Sequence, residues 1–350
     1  MSSAPTVLIL TNERDLHANK IILALERRNA RPIRFNPADF PLRSRLYFSN
    51  HDGKWHSYID LDLSHRRLDL QEIHSAWLGR PDPVEVNPAL SPMAARFAKA
   101  ESKAAMAGIL HLDHILWINH PDKMRLGERK LVQLQRASAL GLEVPRTLVT
   151  NDPTAVKAFY EECGGNVIYK TLYAPFVSEE KLERGMIPPG SRYGGIYTTP
   201  VEEADLAHLH SVVYAANLFQ EYVPKEIELR VTVVGNRVFA AEIHSQASER
   251  TRHDWRHYDF DNTPHRVHQL LLPIAQLCIE LTRSFGLVYG AIDMVLTPDS
   301  RYVFLEINPV GLWYWIELLT GLPITDAIAD LLVAGQVHSW EPIVETGAAV

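Results

Sequence analysis

Three acidic or amide side chains near the C-terminus interrupt apolar runs. Asp293 lies in LVYGAIDMVL, and Glu306 and Asn308 lie in FLEINPVGLWYWIE. Strand side chains alternate, so Glu306 and Asn308 share one face, with Val303, Leu305 and Ile307 on the other, toward a core. An ionised carboxylate in such a setting is costly unless a cation meets it. Carboxylate and amide oxygens are the ligands that hard divalent cations take. The pair alone fits either adjacent metal ligands or a sheet face open to water, and Asp293 tips the balance. The segment TPDSR, between the two runs, is turn-rich. The runs therefore pair as a hairpin that brings Asp293 near Glu306. Three oxygen donors on one face suit Mg²⁺, which keeps waters and substrate phosphates in its other positions. That chemistry points to a nucleotide.

Other residues fit an anion. Lys170 ends the apolar strand NVIYK, where its charge wants a partner such as phosphate, and Lys130 heads the helical segment RKLVQLQ. QEYV, from Gln220 through Glu221 and Tyr222 to Val223, is an extended stretch before Pro224 that can offer backbone groups to an adenine edge. Glu228 and Arg230 flank Leu229 on one strand face. An acid there can take ribose hydroxyls, and an arginine can take phosphate or carboxylate. Each feature also occurs on ordinary solvated or salt-bridged surfaces.

The elements that must position these residues read as an α/β chain. TVLIL, the helical DLHANKIILALERRNA and strand-like RPIRFN open it as strand, helix, strand. A hairpin turns at Asp52-Gly53, a long helix covers Met93 to Asp113, and Ile115 to Lys123 reads as a strand ending at a turn. This places a first boundary near residue 120. Beyond it, Gly127 to Asp152 reads as helix, glycine stop and strand. Pro153 to Gly165 is a helix, and Asn166 to Tyr173 a strand. Residues 174–195 lose periodicity, and so long a loop is expected to be a functional lid or disordered. Asn217 to Gln246 reads as successive strands around a Gly-Asn turn, and Arg266 to Phe285 as one helix.

Composition is that of a soluble enzyme. The 350 residues are 46% hydrophobic and 22% charged, and the net charge of −7 argues against nucleic-acid binding. Cys163 and Cys278 have no metal-type spacing and read as buried thiols of a reducing compartment, implying a cytoplasmic location. No run reaches membrane-spanning length, and the first apolar run reads as a strand, not a signal peptide. Neither G-x-G-x-x-G after the first strand nor a Walker A motif is present.

The ordered set Lys130, Lys170, QEYV, ELRVTVVG, Asp293 and Glu306-x-Asn308 resembles the ATP-grasp ligases. FLEINPVGLWYWIELLTGLPITDAIADLL is similar to the C-terminal signature of their graspetide (microviridin-type) synthetases, which cyclise ribosomally made precursor peptides. The usual Asn-Pro-Asn-Gly-Gln-Trp is altered here at Val310 and Leu312. The resemblance implies an N-terminal α/β pre-ATP-grasp domain over 1–120. A central subdomain with a lid loop at 174–195 would span 121–221, and a C-terminal subdomain with the Mg²⁺ site 222–343. It implies that Lys130 and Lys170 hold ATP phosphates, that the QEYV backbone, at Glu221 and Val223, meets adenine, and that Glu228 meets ribose. Asp293, Glu306 and Asn308 would bind Mg²⁺. Arg230 and Arg256 would face the γ-phosphate and the substrate carboxylate. The implied partner is a leader-plus-core precursor peptide whose Asp or Glu carboxylates are activated for attack by Ser/Thr hydroxyls or Lys amines. Dimers are common in the family. The alternatives are a carboxylate–amine ligase for an amino acid or small molecule, and a non-catalytic ATP- or peptide-binding protein. Trp313 and Trp315 are expected to start the helix after the metal pair and pack this layer against the ATP domain, with a peptide channel as the alternative.

Overall fold

In the computed structural model the N-terminal third is built on a parallel sheet. Its strands are β1 (Thr6–Leu10) and β2 (Arg31–Phe35), with helix α1 (Leu16–Glu26) between them. The segment that follows carries β3 (Arg45–His51), β4 (Lys54–Asp60) and β5 (Arg67–Asp69). Then come β6 (Ile73–Leu78), α2 (Pro92–Ile109) and β7 (Leu116–Ile118). The parallel order is β2-β1-β6-β7, while β3-β4-β5 form a separate antiparallel sheet. Both faces of β1 are buried: Val7 and Ile9 join one core cluster, Leu8 and Leu10 another. That explains an uninterrupted apolar run where a half-exposed strand would alternate. The β3–β4 turn sits at Asp52 and Gly53, both with positive φ of 51° and 76°, the geometry a tight hairpin demands. The described residues are 4–62, 66–112, 114–173, 176–178, 193–257 and 259–346. Of the expected lid loop, 174, 175 and 179–192 lie outside them.

The central part holds helices α3 (Pro121–Gly127) and α4 (Lys130–Leu140), then β8 (Thr147–Thr150), α5 (Pro153–Glu162) and β9 (Val167–Lys170). It continues with β10 (Phe176–Ser178), β11 (Tyr193–Gly195), β12 (Thr199–Pro200) and β13 (Asn217–Glu221). An antiparallel sheet runs β12-β9-β13-β8, and β10 pairs with β11. Asp152 caps α5 by accepting the Thr154 N–H. The expected strand over Ile115 to Lys123 is only β7, because Pro121 opens a helix where a turn was expected.

The C-terminal part holds β14 (Ile227–Val234), β15 (Arg237–Ile243), β16 (His265–Val267), α6 (Leu272–Ser284), β17 (Tyr289–Leu296) and β18 (Tyr302–Asn308). Helices α7 (Tyr314–Thr320) and α8 (Ile324–Ala334) and strand β19 (Ile343–Glu345) complete it. The sheet runs β16-β15-β14-β17-β18, with β19 parallel to β15. The single helix expected over Arg266 to Phe285 is corrected: the helix begins only at Leu272. Pro273 sits in its first turn, where a missing N–H costs nothing, the cap residue Leu271 is extended, and 265–267 pair with β15 as an edge strand. One core cluster packs α4 and α6 against β14, β17 and β18. Another joins β1 and α1 of the N-terminal part to α8 and to Val234, Phe239 and Tyr289 of the C-terminal part.

Candidate functional site

The hairpin β17–β18 forms as the turn-rich TPDSR segment requires, with Asp293 directly opposite Glu306 and Ala291 opposite Asn308. Between these pairs and the next the register shifts, so Met294 pairs with Phe304 and not Leu305. Such a bulge puts one extra residue on β18 and breaks strict alternation. The expectation that Val303, Leu305 and Ile307 share the core face is corrected accordingly. Phe304 and Ile307 enter the core, while Val303 and the half-buried Leu305 pack with Val223 and Val295. Leu305 and Glu306 then both line a cleft. The bulge therefore aims the carboxylate outward beside an apolar wall.

Edge strand β18 is held by side chains from α4. Gln133, buried, donates to the Ile307 carbonyl at 2.9 Å and accepts the Ile307 N–H at 3.1 Å. This mimics a neighbouring strand at the residue after Glu306. Gly311 closes the following turn, where any Cβ would collide with that of Ala291.

The cleft lies between the central sheet and the C-terminal sheet and has a volume of about 750 Å³ including space open to solvent. That is within the span of small-ligand sites. Lys130, Lys170, Gln220, Glu221, Tyr222, Val223, Glu228, Arg256, Asp293 and Glu306 all line it. Arg230 and Asn308 are not among its lining residues. Arg230 lies 3.2 Å from Asp293. The exposed Asn308 uses its side-chain oxygen to accept the Val310 N–H at 3.0 Å. Lys130, at the head of α4, donates to the Thr171 carbonyl at 3.0 Å and lies 3.3 Å from Glu306 Oε2. Glu221 and Tyr222 donate their N–H groups to the Arg146 and Asn166 carbonyls. Pro224 has none, so Val223 carries the remaining amide of this stretch.

The electrostatics are those of a site built for opposed charges. Burial pushes the Lys170 ammonium down to about 8, helped by Lys130, Arg256 and Lys225 and opposed by Glu306. Burial works against ionisation of Glu306, but Lys130, Lys170 and Arg256 outweigh it and hold its carboxyl below the ordinary range. Burial pushes Asp293 up to about 7. Arg230 and Arg256 oppose that rise, and the charges of Glu306 and Glu228 add to it. Arg230 Nε and Nη1 and Asp293 Oδ1 are buried and make no hydrogen bond among the described residues. Arg230 Nε and Asp293 Oδ1 meet each other as an ion pair at 3.2 Å, and Arg230 Nη1 is the polar atom left without an acceptor.

Several residues here carried no sequence signal. Lys225 is buried against Glu228 at 2.9 Å. Asp254, itself buried, grips Arg256 at 2.8 and 2.5 Å and accepts the Thr198 N–H at 3.1 Å. Burial would raise Asp254, but Arg256 and that N–H hold it at about 2. Trp255 and Trp315 stack at 5.0 Å, with the Arg230 guanidinium 5.0 and 5.8 Å from their rings. Trp313 is instead buried core, edge-on to Trp77 and Tyr289 and donating to Thr325 Oγ1. The two tryptophans thus divide: Trp313 packs layers, and Trp315 backs the site. Among the described residues, His111, His120 and Asp122 hold their ligand atoms within 4.8 Å of one another. There Asp122 is paired with Arg125 and His120 caps α3.

A family profile described as the MvdD pre-ATP grasp domain matches residues 6–125. No curated protein matches the sequence. Among solved structures, macrocyclase MdnC from Microcystis aeruginosa MRC, bound with precursor peptide MdnA, is 30% identical, with TM-score 0.78 over 95% of this chain and 100% of that chain. Macrocyclase MdnB from the same organism is 30% identical, with TM-score 0.73 over 95% of this chain and 100% of that one. A Chryseobacterium gregarium RiPP-associated ATP-grasp ligase, in complex with ADP and a leader and core peptide, is 29% identical. Its TM-score is 0.83 over 95% of this chain and 97% of that one. No helix among the described residues is long and apolar enough to cross a membrane.

Proposed function

The chain belongs to the ATP-grasp ligases that macrocyclise ribosomally made peptides, the graspetide synthetases, and on that premise we propose that it uses ATP to close rings in a precursor peptide bearing a leader and a core. The observation that carries this reading is the polar end of the cleft. There Asp293 opposes Glu306, ringed by Lys130, Lys170 and Arg256, beneath an extended stretch ending at Val223.

The donor set fits Mg²⁺: two opposed carboxylates, and the Asn308 carboxamide on the strand of Glu306. Asp293, Glu306 and Asn308 would hold the ion. Bound there, it supplies positive charge that draws electrons from the phosphates. The side chains do the rest. The Glu221 and Val223 backbone meets the adenine edge, Glu228 the ribose, and Lys130 and Lys170 the phosphates. Arg256 faces the γ-phosphate and the acceptor carboxylate, and Arg230 supports the site from beside Asp293.

A carboxylate is a poor electrophile until activated. An Asp or Glu side chain of the peptide attacks the γ-phosphorus, the bond to the bridging oxygen breaks, and ADP leaves with its electrons. The lysines and arginines stabilise the charge that spreads over the transferring group. A hydroxyl or amine of the same peptide then attacks the acyl carbon of the acyl phosphate and loses its proton. Phosphate departs, carrying the oxygen that would have left as water. Having both partners on one chain makes the second step intramolecular.

The test is ADP release with a leader-bearing precursor encoded beside this gene, against free amino acids and small amines. The precursor should stimulate release, and the small molecules should not. Release driven equally well by free amino acids, with no response to the precursor, would replace this reading with a small-molecule carboxylate–amine ligase.

A further inference from the structure

We infer that Lys225 is a positioning residue for the nucleotide, fixing the ribose-binding carboxylate and tying it to the loop that carries Arg256. The inference rests on the ATP reading above. Lys225 lies between β13 and β14, just after Pro224. Its side chain is only 7% exposed, as is that of Glu228. Its ammonium is 2.9 Å from Glu228 Oε1 and donates to the His253 carbonyl at 3.1 Å.

Ser245 donates its hydroxyl to the same Glu228 oxygen at 2.7 Å. Two donors on Oε1 lock the carboxylate in one rotation and direct recognition to Oε2. Glu228 and Lys225 both line the cleft. A fixed carboxylate oxygen is an acceptor for a vicinal diol, the chemistry a ribose presents. The second arm of the ammonium matters as much. The residue after His253 is Asp254, which orients Arg256 and the Thr198 N–H, and the His253 ring stands 5.7 Å from that of Tyr222. One buried ammonium therefore joins the adenine-binding stretch, the ribose carboxylate and the arginine loop. Removing it leaves a buried carboxylate without its counter-charge, the most damaging way to break a buried pair.

The experiment compares ATP with 2′,3′-dideoxy-ATP, which lacks both ribose hydroxyls, in precursor-dependent ADP release. Wild type should prefer ATP by about tenfold or more in kcat/KM, the worth of a charge-assisted hydrogen bond, expressed mainly in KM. Lys225→Met should shrink that preference toward unity, and Lys225→Arg should restore part of it. Because both residues act on one oxygen, Lys225→Met added to Glu228→Gln should not reduce the preference below that of Glu228→Gln alone. This pair removes both charges and keeps the test open if Lys225→Met alone fails to fold. A folded Lys225→Met chain, by thermal melting, that keeps the full wild-type preference overturns the inference and leaves the ATP reading standing. A wild type that uses both nucleotides equally overturns the ribose assignment of Glu228 and the inference with it.

Discussion

Glu306 keeps its negative charge in a half-buried position because Lys130, Lys170 and Arg256 face it. Glu306→Ala should lower precursor-dependent ADP release by at least ~10²-fold, the scale of losing one organised electrostatic group. Its thermal melting should stay near wild type, since Ile307 and Phe304, not Glu306, fill the core behind the strand. An unchanged rate in a folded variant would remove the carboxylate from the site. Glu306, Asp293 and Lys170 were legible because each is a charge inside an apolar strand run, a local anomaly. Leu305 was misjudged because a bulge is a pairing event between two strands, invisible in either alone. Lys225, Asp254 and Trp255 sit in connections without periodicity, and their partners come from distant segments.

At the scale of elements, the aromatic segment after β18 reaches in two directions, and its first contact is with α1. His17 packs edge-on against Trp313 at 4.5 Å, and burial pushes its imidazole from 6.5 down to about 4, with Arg80 adding to the shift and Asp15 opposing it. The folded chain thus holds the ring neutral more firmly than the unfolded chain does. This contribution to stability is full above pH 6.5 and is lost as pH falls toward about 4. Urea unfolding at pH about 7 and about 5 should show a drop in wild type that is smaller in His17→Gln; equal drops would refute the linkage. Trp313→Ala should cost ~3–5 kcal/mol of stability, as large core truncations do, whereas Trp315→Phe should leave the melting temperature near wild type and lower turnover. The hairpins and most helices were readable from turn residues and period. The late start of α6 and the β16 edge were not, because apolar content continued across Pro273.

Across the whole molecule, the N-terminal sheet and the C-terminal sheet share a core. Val7, Ile21 and Leu25 pack in one cluster with Ile324, Ile328 and Leu332. Asn119 bridges them with four hydrogen bonds. It donates to the Tyr289 and Pro309 carbonyls at 2.8 and 2.9 Å and accepts the Val288 and Tyr289 N–H groups at 3.0 Å each. Asn119→Ala would strand four backbone groups, three of them buried, and should cost ~3 kcal/mol or more, read as a lowered urea midpoint. A chain beginning at residue 121 should fail to give soluble, cooperatively melting protein, because it exposes the α8 face that α1 covers. Recovery of such protein would show that the parts fold separately. The α/β opening and the ATP-grasp order were legible in the residues themselves. This docking was not, since it joins segments some 300 residues apart.

Ring closure through activated carboxylates removes water from the peptide, a change that intact-mass spectrometry reads on the leader-bearing precursor after incubation with enzyme, ATP and Mg²⁺. Loss of one water per ring is expected, with one ADP formed for each, and no loss when core Asp and Glu residues are changed to Asn and Gln. A precursor whose mass never changes, alongside efficient ligation of free amino acids, would contradict it.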